Sequence, residues 1–286
     1  LNMLLKTDIN ITIDNIKINF DTEGLWVLNI ALAVIMFGVA LSIKLTDFKR
    51  LLQKPKLLLV GVFSQFFLLP ALTFVAILII KPHPSFALGM MMIAACPGGN
   101  VSNFFSKMAK GNAALSVSLT AFATVICLVM TPFNLQFYGG LYEPTNAILK
   151  TVELNPFELF KLVLLILGIP IILGMTLNHY FENIAKKIEA LLKPFSMIVF
   201  LALISIAFYE NIEIFLEHIH LVAALVIFHN IGAYIIGFYT AKGFGLDKRD
   251  QKTISMETGI QNGGLGLLLI FQFFDGLGGM ALLAAF

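Results

Sequence analysis

Apolar runs separated by short polar, mostly basic stretches dominate the chain. A run of about 20 apolar residues crosses the hydrocarbon core of a bilayer as a helix, and the pattern predicts nine such spans. The first covers residues 25–43, the second 57–80, the third runs from near Phe86 to Lys107, and the fourth covers 113–135. The fifth to eighth cover 156–177, 194–209, 221–241 and 253–274, and Met280 to Phe286 opens a ninth that is cut short. The stretches Thr46 to Lys56, Gln136 to Asn155, Asn178 to Lys193 and the acidic Glu210 to Glu217 read as connecting loops. Residues 1–24 place Asp8, Asp14, Lys17 and Asp21 among isoleucines, as expected of an extracytoplasmic or interfacial segment, and are too polar for a signal peptide.

Two spans are interrupted. Cys96-Pro97-Gly98-Gly99-Asn100-Val101-Ser102-Asn103 sets a Pro, two glycines and three polar side chains inside the third. Pro removes a backbone donor and paired Gly weakens helical order, so the helix is predicted to break near Cys96 and resume near Val101. Ser255 to Gly264 interrupts the eighth span in the same way and carries Glu257. Broken backbone at membrane depth is tolerated only where protein covers it or where it lines a wet cavity. An ionisable residue there marks an ion or substrate path. The competing reading is a pair of Gly-hinged packing helices without a ligand.

Composition agrees with a membrane protein: 58% of residues are hydrophobic, 13% are charged and the mean hydropathy is +0.90, where an ordinary globular domain has about a quarter of its residues charged. The net charge of +2 calls for no nucleic-acid partner. With an outside N-terminus, all of the 19 basic residues except Lys6, Lys17, Lys81, Lys150 and Lys161 fall on the cytoplasmic side, as the positive-inside rule requires. Cys96 and Cys127 lie in apolar spans and read as packing residues. The chain opens without Met and stops within an apolar run, the pattern expected of a sequence incomplete at one or both ends.

Gln65 in the second span and the His229-Asn230 pair in the seventh need polar partners. His229 reads equally as a hydrogen-bonded packing residue and as a site residue. Ser116 and Thr120 are four apart and share one helix face; such hydroxyls more commonly bond back to their own helix than ligate. Spans two to four (Gln65, the first break, Ser116 with Thr120) correspond to spans seven to nine, and the two sets enter the membrane from opposite sides. That predicts inverted repeats with two crossed discontinuous helices, the plan in which one bundle rocks against another about a fixed site.

At these residues the sequence resembles the bile acid:sodium symporter (BASS) family, in particular the bacterial homologues of the apical sodium-dependent bile acid transporter. The likeness runs from Leu25 to Phe286 and rests on Met36-Phe37-Gly38, Gly61 to Gln65, Cys-Pro-Gly-Gly-x-x-Ser-Asn at 96–103, Gly111-Asn112 with Ala-Leu-Ser at 114–116, His229-Asn230 and Glu-x-Gly-x-Gln-Asn at 257–262. The resemblance implies an all-α polytopic membrane protein in which a core domain, here 57–135 and 220–286, moves against a panel domain, here 25–44 and 156–210. The family's usual first helix is expected to be missing, and the last to be incomplete. Two sodium sites are implied: Ser102, Asn103, Ser116, Thr120 and Glu257 form one, and Gln65, Glu257, Gln261 and the carbonyls near Thr258 and Ile260 the other. Asn100, where related chains often have Thr, and Asn262 are offered to an organic anion, with Gly99, Val101 and His229 beside them.

Sodium is a hard cation and takes oxygen donors of these kinds. One buried carboxylate, two sodium ions and a monovalent anion sum to a neutral site. The expected function is an inner-membrane symporter importing an organic anion, bile acid-like or a small carboxylate such as pantoate, with two Na+ per substrate. It is expected to be a monomer in lipid. A proton-coupled carrier and a non-transporting sensor are the alternatives. An intramembrane hydrolase using Cys96 or a Ser with His229 lacks a recognisable spacing, and no enzyme activity is expected.

Overall fold

A computed structural model describes residue 30 and residues 33–285, apart from 153–156, 158, 159, 162, 163 and 211. Every regular element in it is helical. After α1 (33–40) come α2 (Leu45–Leu52), α3 (Pro55–Ile80), α4 (Pro84–Ala95), α5 (Asn100–Met108) and α6 (Ala113–Leu141). Then follow α7 (Glu143–Thr151), α8 (Ile169–Tyr180), α9 (Glu182–Glu210), α10 (Ile212–Gly243), α11 (Lys248–Gly259), α12 (Gly263–Phe274) and α13 (Gly278–Ala285). Among the described residues α3, α6 and the Val222–Gly243 part of α10 are long and apolar enough to cross a membrane. The apolar α4 and α12 have 12 residues each, about 18 Å at 1.5 Å per residue, which is half a crossing.

Four stretches expected to be loops are largely helical. Thr46 to Lys56 contains α2, which turns Leu51 and Asp47 inward and leaves Lys49 outside. In Gln136 to Asn155, α6 continues to Leu141, and α7 starts at Glu143-Pro144 and buries Thr145 and Leu149. The Thr145 hydroxyl donates to the carbonyls of Gly139 and Tyr142 and fixes the corner between them. Asn178 to Lys193 is the end of α8 and the start of α9, with Ala185 fully buried and Lys186 and Lys187 exposed. Of Glu210 to Glu217, Glu210 ends α9 and residues 212–217 open α10. In α2 and α7 polar residues occupy one face of an amphipathic helix, and polarity alone hid the period.

Where α8 meets α9, Lys44 and Lys186 lie 2.8 and 3.1 Å from the Glu182 carboxylate. The two ammonium groups hold that carboxyl down to about 2, so this surface link is present above the usual carboxylate range and is lost as the pH falls toward 2.

Two helices open into π turns, at Ser64–Leu68 in α3 and at Leu164–Gly168 before α8. Pro70 and Pro170 follow these turns. A proline cannot bond the carbonyl four residues back and crowds it, and widening the helix to a π turn relieves that clash. In α3 the carbonyl in question is that of Phe66, and the Asn134 side chain of α6 donates to it at 2.8 Å. The opened turn holds Gln65, which is buried at 4% exposure.

The main core is built from α4, α12 and α13 with Phe66, Cys96, Cys127 and Leu135. Both cysteines are free and buried, as packing residues are. This core fixes the two half-helices α4 and α12 and so fixes the places where each is interrupted.

Candidate functional site

Helix α4 ends at Ala95 and α5 begins at Asn100; α11 ends at Gly259 and α12 begins at Gly263. The two interruptions lie against each other as an antiparallel bridge between Gly98 and Gln261. Gly99 donates its N–H to the Ile260 carbonyl at 3.1 Å, and Asn262 donates its N–H to the Pro97 carbonyl at 2.8 Å. The Thr131 hydroxyl donates to the Ala95 carbonyl at 2.6 Å. Backbone groups freed by the breaks therefore find partners inside the protein, as an apolar surrounding requires. Gly98 leaves no room for a side chain: a Cβ there would stand 2.9 Å from Glu257 Oε2 and 3.0 Å from Gln65 Nε2.

Glu257 sits on the last turn of α11, 2% exposed. Its Oε1 accepts from the hydroxyls of Ser102 on α5, at 2.6 Å, and of Ser116 on α6. Its Oε2 accepts from the Thr120 hydroxyl of α6 at 2.8 Å, and that hydroxyl also lies 3.3 Å from Asn103 Oδ1. Ser116 and Thr120 thus turn toward the carboxylate. This corrects the expectation that such a pair bonds back to its own helix, which holds instead for Thr124, bonded to the Thr120 carbonyl at 2.7 Å. The reason is Glu257: a buried carboxylate is a better acceptor than a carbonyl already used by the helix. No ion pair involves Glu257 among the described residues.

The second predicted set is contiguous with the first. Gln65 Nε2 donates to the Glu257 carbonyl at 3.3 Å and lies 3.5 Å from Gln261 Oε1, while Gln261 Nε2 donates to the Thr258 carbonyl at 2.6 Å. Ser64 shares a 2.9 Å hydrogen bond with the Thr258 hydroxyl. Sequence reasoning gave Ser64 and Asn134 no role, although Pro70 was the available signal for the turn they serve. Among the described residues no three His, Cys, Asp or Glu side chains cluster. The donors gathered here are hydroxyl, carboxylate, amide and carbonyl oxygens, the chemistry of a hard monovalent or divalent cation.

The residues offered to an anion are more dispersed. Asn262 caps α12, accepting from the Leu265 N–H at 3.0 Å. The Gly99 N–H is already taken by Ile260, and Val101 is exposed. The side chain of Asn100 lies outside the described part of the structure. His229 bonds the Thr73 hydroxyl at 2.9 Å and, with Asn230, Tyr234 and Gln261, lines a cavity of about 290 Å³ against the second break. Neither Cys96 nor any serine is a hydrogen-bond partner of His229 among the described residues.

Two interrupted helices, each with one apolar half, meeting beside a buried carboxylate are an arrangement found at the binding sites of secondary transporters. The chain belongs to the sodium bile acid symporter family, which matches residues 29–218. It is 34% identical over 87% of its length to an uncharacterized sodium-dependent transporter of Bacillus subtilis, YocS, and covers 75% of that protein. It is 29% identical to a probable chloroplastic sodium/metabolite cotransporter of Arabidopsis thaliana, BASS1, over 86% of this chain and 59% of the relative. With the human ileal sodium/bile acid cotransporter it shares 27% identity over 82% of this chain and 66% of the relative. The chain therefore spans about three-fifths to three-quarters of the length of these relatives. They are sodium-dependent transporters and cotransporters, not enzymes.

Proposed function

We propose that the protein is a sodium-coupled symporter that imports an organic anion across the inner membrane, with two Na+ per substrate. The observation that carries this reading is Glu257: a carboxylate 2% exposed, ringed by three hydroxyls and without a cationic partner among the described residues. An uncompensated charge in a dry interior is costly, and a small cation among these oxygens offsets that cost. Glu257, the hydroxyl oxygens of Ser102, Ser116 and Thr120 that now donate to it, and Asn103 Oδ1 form the first sodium site. At the second site Gln65 and Gln261 present amide N–H groups to the carbonyls. Sodium there takes the Thr258 and Ile260 carbonyls once those amides turn their oxygens inward.

Binding at Glu257 ties α5, α6 and α11 together and presents the crossing to the substrate. The anion is held near Asn100, Val101 and Asn262, with His229 on the cavity side. Alternating access then moves a core of residues 57–135 and 220–286, built as inverted repeats, against a panel of 25–44 and 156–210, with the N-terminus outside. The bile acid and metabolite substrates named for the relatives set the class to try first, steroid-sized or small carboxylates.

In proteoliposomes loaded without sodium, an inward sodium gradient is expected to accumulate a radiolabelled bile acid or pantoate, and an inside-negative potential to increase that uptake. Equal uptake when choline replaces sodium at constant pH would overturn sodium coupling. Uptake driven by a pH gradient instead would establish the proton-coupled alternative. Saturable binding without accumulation would identify a sensor.

A further inference from the structure

The cage around Glu257 has a second storey. Ser102 and Ser106 on α5, Asn112 and Ser116 at the head of α6, and Thr253 and Glu257 on α11 are each four residues apart, so each pair stands on one helix face about a turn apart. One turn from the carboxylate, the same three segments meet again at Thr253. Its hydroxyl shares a 2.9 Å hydrogen bond with Ser106 and accepts from the Asn112 N–H at 2.7 Å, with the Asn112 carbonyl 3.3 Å away. Thr253 and Ser106 are both fully buried.

The contacts around this storey are unusually close. A Cβ on Gly111 would stand 2.7 Å from Thr253 Oγ1, 2.8 Å from Ser106 Oγ and 2.9 Å from the Ser106 carbonyl, so nothing larger than glycine fits. Lys110, with φ 58°, makes the left-handed reversal that brings α6 back beside α5. Asn112 then caps α6 through Leu115 and donates its side-chain N–H to Asp250 Oδ1 at 2.8 Å, a second tie to α11.

We infer that Thr253 is a positioning residue for the sodium site: its hydroxyl sets the separation of α5, α6 and α11 at which the Ser102 and Ser116 hydroxyls both reach Glu257. The inference rests on the sodium reading of that cage. Helix α11 carries the acid, but nothing in its own backbone fixes how far Ser102 and Ser116 stand from it. The Thr253 contact supplies that distance one turn away, on the same faces. Removing the hydroxyl strands the Asn112 N–H and cuts the buried tie from Ser106 to α11, leaving at the end of α5 only the exposed bond from Lys252 to the Ala109 carbonyl, so the oxygens above lose their common register.

Thr253→Val keeps the shape and removes the hydroxyl; Thr253→Ser keeps the hydroxyl. The readout is the sodium concentration that gives half of the sodium-induced rise in melting temperature in detergent, beside the melting temperature in choline chloride. Thr253→Val is expected to raise the half-saturating sodium about tenfold, the effect of roughly one hydrogen bond, and Thr253→Ser to stay within about twofold of the parent. Parent-like half-saturation in Thr253→Val overturns the inference, and so does a rise that Thr253→Ser fails to restore. If the valine variant is not recovered folded, Ser106→Ala carries the same expectation, and an unchanged value for it also overturns the inference. A parent protein with no sodium response overturns the sodium reading itself and this inference with it.

Discussion

Glu257→Gln is expected to abolish the response to sodium, with at least about a hundredfold loss of sodium affinity, without making the sodium-free protein less stable. Glutamine has nearly the shape of glutamate but not its charge. Removing one partner of a buried charge pair costs about 3–5 kcal/mol, and 1.4 kcal/mol is a factor of about ten. The sodium-free state has the opposite sign. There the carboxylate is 2% exposed and has hydroxyl donors but no cation among the described residues, so neutralising it relieves a cost. Thermal unfolding in sodium chloride and in choline chloride at equal ionic strength reads both signs. The expected pattern is a parent that sodium stabilises and a variant that melts at the same temperature in both salts, no lower than the parent in choline. A variant with the parent's sodium response would remove Glu257 from the site.

Gly98→Ala is expected to be nearly as damaging through a different cause. The added Cβ would lie 2.9 Å from Glu257 Oε2, 3.0 Å from Gln65 Nε2 and 3.1 Å from the Glu257 carbonyl, and these atoms are held by their own hydrogen bonds. Overpacking of this kind costs about 1–3 kcal/mol. Here it falls on the bridge between the two interruptions, so sodium-dependent uptake should drop by roughly five- to a hundredfold, the factor that energy implies. Gly140→Ala in α6 is the control, since nothing lies within 4 Å of a Cβ there. Uptake by Gly98→Ala at the level of Gly140→Ala would mean that the crossing tolerates separation.

Particular residues explain how much of this was legible. Pro97, Gly98 and Gly99 announced the first interruption to within a residue or two, because Pro and Gly act on the backbone locally. Glu257 stood out because a charge in an apolar run has no cheap explanation. The direction of the Ser116 and Thr120 hydroxyls was not legible, since it depends on an acid 141 residues from Ser116 in the chain. The π turn at Ser64–Leu68 was legible in principle from Pro70, but its partner Asn134 belongs to another helix. Helices α2 and α7 were hidden because loops and amphipathic helices have similar composition and differ only in period. The tie through Ser106, Asn112 and Thr253 has a sequence trace, polar residues four apart in three segments, which gains meaning only once those segments are adjacent.

The measurement that tests the central claim most directly is equilibrium binding of radioactive sodium to the purified protein in detergent, with potassium as competitor. The account predicts saturable binding that approaches two ions per chain and that potassium displaces poorly. No saturable binding, or displacement by potassium as effective as by sodium itself, would contradict it.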